Sequence, residues 1–336
     1  MTKVSVIGAG SWGMALAVLL IKNKCEVTVW SYRQDQIEEL KKTGKSDKLP
    51  EITFPKELLF TADIKEACNS ADVILMAVPS KATRNTAEKI QAYIKPSQII
   101  VTVTKGIEES TLKTQSQILT EVLGDEDRIC VLSGPSHAEE VVSLKPTVVV
   151  AGSTSKDTAE YVQNLFMNKY FRVYTSPDVV GIEVGAALKN VIALAAGMSD
   201  GLGFGDNAKA ALITRGIKEI SALAVAMGGS PETLAGLTGV GDLIVTCSSV
   251  HSRNRMAGYY MGQGMSADDA MKKVAMVVEG VHSAKAALKL ANKYQIEMPI
   301  VEQVNDVIFN NKSAIDVVYG LMTREKKSEL NVEEWN

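Results

Sequence analysis

The chain has 336 residues, long enough for two domains with separate cores, and its 46% apolar and 22% charged content is that of an ordinary folded protein, which argues against disorder. A formal net charge of −3 and a pI of about 5.8 give no general attraction to nucleic acid or to an anionic membrane, so any anion site must be built from a few placed groups. Four scattered cysteines without a CxxC pair, and no basic stretch leading into an apolar core and cleavage site, point to a reducing, cytoplasmic setting.

The chain opens with the apolar run VSVI, breaks into GAGSWG and continues as MALAVLLIKN, which has helical character. β-rich runs recur at about 3–7, 26–30, 73–78, 98–103, 129–132, 147–151 and 170–174, and amphipathic stretches separate most of them. These runs are nearly continuous in apolar residues, as in VILMAV (73–78), so they read as buried strands of a mainly parallel sheet covered on both faces by helices. None approaches the roughly 20 residues that span a bilayer, and no membrane span is expected. After about residue 176 alanine, leucine and methionine recur at helical spacing between glycine-rich turns. The expected organisation is an α/β, doubly wound domain over 1–178, an all-α domain over 179–330, and a polar, fraying tail at 331–336.

Gly8, Gly10 and Gly13 lie directly after one strand and directly before a helix. In that position the first glycine permits a tight turn, the second lets backbone approach a pyrophosphate, and the third lets helix pack on strand, the fingerprint of a Rossmann-type dinucleotide site. At the end of the second run, where an acidic residue would bind the ribose hydroxyls of NAD, the chain reads Ser31, Tyr32, Arg33. Arg33 is suited to a 2′-phosphate, and Tyr32 or Arg33 to stacking on adenine, so NADP is favoured and NAD is possible.

Ligands of such sheets lie beyond the carboxyl ends of the strands. Three segments qualify: AVPS (77–80); VTVTKGIE (101–108), which carries Lys105; and VLSGPSHAEE (131–140), which carries Gly134 and Ser136. His137 in the last reads as a capping or packing residue. In the helical half, EVGAALKNVIALAAG sets Lys189 and Asn190 inside an apolar helix. Burial disfavours a charged amine, which prepares Lys189 as a proton donor to a ketone, or an acceptor in reverse. Asp242 and Thr246, at i and i+4, share a face if helical. Ser252, Arg253, Asn254 and Arg255 form a donor cluster that suits a phosphate monoester near a helix start. The methionine-rich 256–271 segment reads as core filler, and His251 and His282 lack a metal-ligand pattern, so no metal is expected.

On the segments GAGSWGMALA, VTKGIE, SGPSHAEEV, GAALKN, GDLIVTCSSVHSRNR and VVEGVHSA, in that order, the chain resembles the bacterial-type NAD(P)-dependent glycerol-3-phosphate dehydrogenases over nearly its whole length. The resemblance implies reversible reduction of dihydroxyacetone phosphate to sn-glycerol 3-phosphate, a glycerophospholipid precursor, usually with NADPH, and a homodimer. It further implies Lys189 as the catalytic proton donor and acceptor, with Asn190, Asp242 and Thr246 holding lysine and substrate. Lys105, Gly134, Ser136, Ser252, Arg253 and Asn254 would complete the substrate site. Ser11, Trp12, Tyr32, Arg33, Lys105, Ala138, Arg253, Val278 and Glu279 would line the coenzyme. In SDKLPE, Lys48 stands where the family often has tyrosine, so that loop is not assigned to the coenzyme. The alternatives are a related two-domain hydroxyacid or 6-phosphogluconate-type dehydrogenase and a nonenzymatic NADP sensor; the SRNR cluster disfavours the first and a buried Lys189 the second.

Overall fold

In the computed structural model, which describes residues 1–329, the opening apolar run Lys3–Ile7 forms strand β1. It is followed by β2 (Glu26–Trp30), β3 (Leu59–Thr61), β4 (Val73–Met76), β5 (Ile99–Thr102), β6 (Ile129–Ser133), β7 (Thr147–Gly152) and β8 (Phe171–Ser176). The eight lie in one sheet in the order β3-β2-β1-β4-β5-β6-β7-β8. All neighbours are parallel except β6 and β7. Strand β3 escapes sequence reading because three residues at a sheet edge, with Leu59 half exposed, carry no usable period. The expected tail at 331–336 lies outside the described residues.

Helices α1 (Ser11–Lys22), α2 (Gln34–Thr43), α3 (Ile64–Asn69), α4 (Thr83–Gln91), α5 (Gln115–Leu123), α6 (Ala138–Val142) and α7 (Lys156–Phe166) cover the sheet. One buried cluster joins the sheet to α1, α2, α6 and α7. A second, built on Ile7, Ile74, Met76 and Ile100, takes side chains from α3, α4 and α5 on the other face. The chain order reverses between β1 and β4, which opens a crevice at their carboxyl ends. The glycine turn sits at that point. A Cβ on Gly8, whose φ is +124°, would lie 2.4 Å from the Ala77 carbonyl oxygen at the exit of β4, and one on Gly13 would lie 2.4 Å from the Gly8 carbonyl oxygen. Around Gly10 there is open space instead.

Two residues after β8 the chain enters α8 (Val179–Gly201). Asp178 caps it by accepting from the amide of Gly181, and its other oxygen accepts from Ser230 N, both at 2.8 Å. Helix α8 is long and apolar enough to cross a membrane, yet 89% of its apolar window is buried within the protein, so it is the axis of a core. Around it pack α9 (Asp206–Ala226), α10 (Pro231–Ala235), α11 (Asp242–Ser248), α12 (Arg253–Gly262), α13 (Ala267–Val274), α14 (Glu279–Tyr294), α15 (Pro299–Phe309) and α16 (Ala314–Met322). The tightest seam is α8 against α12, where backbones touch through glycine: a Cβ on Gly197 would be 2.0 Å from the Arg255 carbonyl oxygen, and one on Gly258 2.0 Å from that of Leu194. In the methionine-rich segment Met261 is buried, and Met265 and Met271 pack against the same core.

The three glycines of the opening turn should separate by role. Gly13→Ala should destabilise the protein by about 1–3 kcal/mol through overpacking, seen as a lower midpoint of thermal denaturation. Gly10→Ala should change stability by less than about 0.5 kcal/mol while weakening dinucleotide binding in a fluorescence titration. The reverse pattern would contradict this assignment.

Candidate active site

Three chain segments converge on one carboxylate. Lys189, in the middle of α8, donates from Nζ to Asp242 Oδ1 at 2.5 Å and to Thr246 Oγ1 at 2.7 Å. Asp242 is the first residue of α11, entered directly from a five-residue π-helical turn (Leu237–Gly241). One helical turn on, Thr246 donates its hydroxyl to the Asp242 carbonyl at 2.6 Å, which leaves its lone pairs for the lysine. Lys105, on the loop leaving β5, donates to the other carboxylate oxygen, Oδ2, at 2.7 Å and to the Gly134 carbonyl at 3.1 Å. Ser136 donates to that same carbonyl at 2.9 Å.

Lys189 and Asp242 are 7% and 1% exposed, so neither charge is hydrated. Burial pushes the Lys189 amine down to about 8; Asp242 opposes the shift, and the nearby Lys105 charge adds to it. Burial would raise the Asp242 carboxyl, but the charges of Lys105 and Lys189 outweigh it and hold the group below the usual carboxylate range. The cluster therefore carries one net positive charge, with an amine poised to lose or gain a proton near neutral pH.

A second network joins the neighbours of Lys189. Asn254 donates to Asn190 Oδ1 at 2.9 Å and accepts from the amide of Gly280 at 2.8 Å. Ser252 caps α12 by accepting from the amide of Arg255. Of the predicted donor cluster, Ser252 and Asn254 thus face inward, and Arg255 pairs with Asp200. Within this cluster Arg253, unlike Arg255, takes no ion pair among the described residues. Crowding by protein lowers its pKa although water still reaches it; Glu279 and Glu139 pull the other way.

At the β1–α1 turn, Gly8, Gly10, Ser11, Trp12 and Gly13 form a cradle whose Gly10 backbone is unobstructed, which fits a dinucleotide pyrophosphate. Ala138 begins α6 nearby, after its own strand. Gln36 secures the cradle to the end of β2: it donates to the Ala9 carbonyl at 3.1 Å and accepts from Ser31 at 2.8 Å. Tyr32 is exposed, and Arg33 is paired through Nε and Nη2 with Asp35, a carboxylate two residues past the segment read for coenzyme preference. Lys48 is pushed down by burial and by the charges of Arg33 and Arg253, so three cations lie near enough to repel one another.

Glu279, first residue of α14 and next to the buried Val278, accepts from Ser80 N at 3.0 Å and Ser80 Oγ at 2.5 Å. Ser80 ends the AVPS segment, so the sequence marked its neighbourhood without revealing its partner, 199 residues away. Gln36 and Asp35 carried no signal beyond being polar residues at a helix start. His137 occupies the N-cap position of α6 without capping it; its ring lies 5.9 Å from that of His251.

The sequence matches the family profile of the NAD-dependent glycerol-3-phosphate dehydrogenase N-terminus over residues 3–159 and that of the C-terminus over residues 178–319. It is 55% identical to glycerol-3-phosphate dehydrogenase [NAD(P)+] of Fusobacterium nucleatum and 56% identical to the protein of the same name in Agathobacter rectalis, each alignment covering 100% of both chains. The fold is similar to the crystal structure of glycerol-3-phosphate dehydrogenase from Coxiella burnetii, with a TM-score of 0.92 at 34% identity, covering 96% of this chain and 99% of that one.

The charge cluster makes a prediction of its own. With isotope-labelled lysine, NMR should show Lys189 losing its proton near pH 8. In Asp242→Asn the midpoint should move lower, because the carboxylate is what favours the charged amine. An unchanged or higher midpoint would contradict the assigned geometry.

Proposed function

The chain belongs to the NAD-dependent glycerol-3-phosphate dehydrogenase family and is an NAD(P)-dependent oxidoreductase acting on a CH–OH group, and we propose that Lys189 moves the proton of its reaction. The reaction interconverts dihydroxyacetone phosphate and sn-glycerol 3-phosphate, the latter a precursor for glycerophospholipid synthesis. Identity above 50% along the entire chain favours this substrate pair over the hydroxyacid alternative and over a sensor without activity.

The nicotinamide coenzyme, when bound, supplies the hydride to substrate C2 or takes it up. The protein manages charge and position. During reduction, negative charge grows on the C2 oxygen, and the Lys189 ammonium neutralises it by donating a proton; during oxidation the neutral amine accepts the hydroxyl proton. Lys105 and Asp242 set the charge state of Lys189 and, with Thr246, Asn190, Gly134 and Ser136, line the reacting end. The Arg253 guanidinium at the start of α12 holds the phosphate, with Ser252 and Asn254 fixing that helix end, and this binding positions the carbonyl. Residues 8–13, Tyr32, Arg33, Ala138, Val278 and Glu279 hold the coenzyme. What carries this reading is the buried amine of Lys189, depressed to about 8 and paired with Asp242.

The same reading divides the chain into a coenzyme domain (1–178) and a catalytic domain (179–330). It also includes a cytoplasmic location, which four buried free cysteines support, and a homodimer, to be checked by sedimentation.

Lys189→Ala should lower kcat by about 10²–10⁴-fold, the span of general acid catalysis, with coenzyme affinity nearly unchanged. The variant should fold, since Asp242 keeps Lys105. Near-wild-type turnover would exclude the role. In the wild type, ketone reduction should fall as pH rises through about 8 and alcohol oxidation should rise over the same range, because the two directions need opposite states of one amine.

Coenzyme preference forms a separate test. Arg33→Glu should weaken NADPH by about tenfold or more through loss of a charge-assisted bond and added repulsion, with little change for NADH. Equal losses for both coenzymes would remove Arg33 from the 2′-phosphate.

A further inference from the structure

Glu183 is an acid inside the long buried helix α8, six residues before Lys189, and has no part in the proton transfer. Its side chain is 4% exposed, and no cation faces it among the described residues. Burial therefore raises its pKa, against opposing hydrogen bonds from Ser116, Thr114 and the backbone. Its two oxygens accept from Ser116 N at 2.8 Å and Ser116 Oγ at 2.5 Å, at the second residue of α5. That helix does not need the acid in order to start. Thr114 and Gln117 already form a capping box there.

What lies beyond Ser116 supplies the reason. The adjacent Gln115 donates to the Gly106 carbonyl at 2.9 Å and accepts from Thr83 at 2.5 Å. The loop between Gly106 and α5 is closed by a bridge between Ile107 and Thr114, and Ile107 packs into the core around α8. Lys105, next to Gly106, is thereby held from behind by α5, and α5 is hooked to α8. Both ammonium groups on Asp242 thus refer to one rigid helix: Lys189 directly, and Lys105 through Glu183.

We propose that Glu183 is a positioning residue that ties the Lys105 loop to α8 and so sets the spacing of the two lysines across Asp242. This rests on the assignment of Lys189 as proton donor. The charges that act on Lys189 are those of Asp242 and Lys105, while its own charge acts to lower the pKa values of the neighbouring His137 and Cys247. Of these, Lys105 is the one Glu183 fixes. When Lys105 drifts away, Lys189 loses a repelling neighbour and holds its proton to higher pH.

The test compares the wild type, Glu183→Gln and Glu183→Ala in dihydroxyacetone phosphate reduction across pH 6–10, with coenzyme affinity followed by fluorescence. Glu183→Gln, whose amide oxygen still accepts from Ser116 N, should lose less than about threefold in kcat/KM, whereas Glu183→Ala should lose about 30-fold, as small misplacements of catalytic groups do. In Glu183→Ala the alkaline limb should move up by about half a pH unit or more, with coenzyme affinity unchanged. If the alanine variant fails to fold, Ser116→Ala should move the limb in the same direction by less. Lost activity with an unmoved limb, or retained activity in Glu183→Ala, overturns the proposal. Absence of the limb from the wild type would instead overturn the role of Lys189.

Discussion

Two ammonium groups brought together under little water repel one another, and the cluster of Lys105 and Lys189 exists because a single carboxylate stands between them. Asp242 offers one oxygen to Lys189 and the other to Lys105. Neither arrangement is stable without the other elements. A lone buried ammonium would deprotonate, and a lone buried carboxylate would protonate. Together they leave one surplus positive charge, which suits a phosphorylated, doubly negative substrate. Lys189 is the more deeply buried of the two amines, and that burial pushes its pKa down to about 8.

This cluster spans the molecule. Lys105 stands on a strand exit of the sheet domain, Lys189 on the central helix and Asp242 53 residues beyond it. Such a constellation holds its shape only if the two halves are docked rigidly, and the seam between them is correspondingly polar and specific. Ser80 and Glu279 join at one point of it, Ser116 and Glu183 at another, each through paired hydrogen bonds to one carboxylate. Inside the helical half the close contact of α8 with α12 does equivalent work. Backbones meeting at glycines bring Asn254 onto Asn190, beside the lysine.

Local chemistry was readable where one segment contains its own reason. GAGSWG announces its turn because strand, glycines and helix are contiguous, and Lys189 stands out because a cation interrupts an apolar helix. Donors near helix starts were harder. Ser252 and Asn254 read as ligand groups in sequence, and the fold adds partners within the protein that no local pattern shows: Ser252 accepts from the amide of Arg255, and Asn254 bonds Asn190 and the amide of Gly280 at the start of α14. Arg33 reads as an unopposed cation until Asp35 folds back onto it. Strand β3 was invisible because an edge position needs neither length nor a full apolar face.

By itself the sequence determined the α/β-plus-helical architecture, the glycine turn after the first strand and the lysine set inside an apolar helix, since each follows from periodicity or from an anomaly within a few neighbouring residues. Only tertiary structure decided which charges meet. Asp242 became the counter-ion shared by Lys189 and Lys105, Glu183 and Ser80 met partners 67 and 199 residues away, and within the 252–255 cluster Arg253, unlike Arg255, took no ion pair among the described residues. Those outcomes depend on contacts between residues tens to hundreds of positions apart, whose energies come from burial and distance, and neither quantity is written in any short stretch of chain.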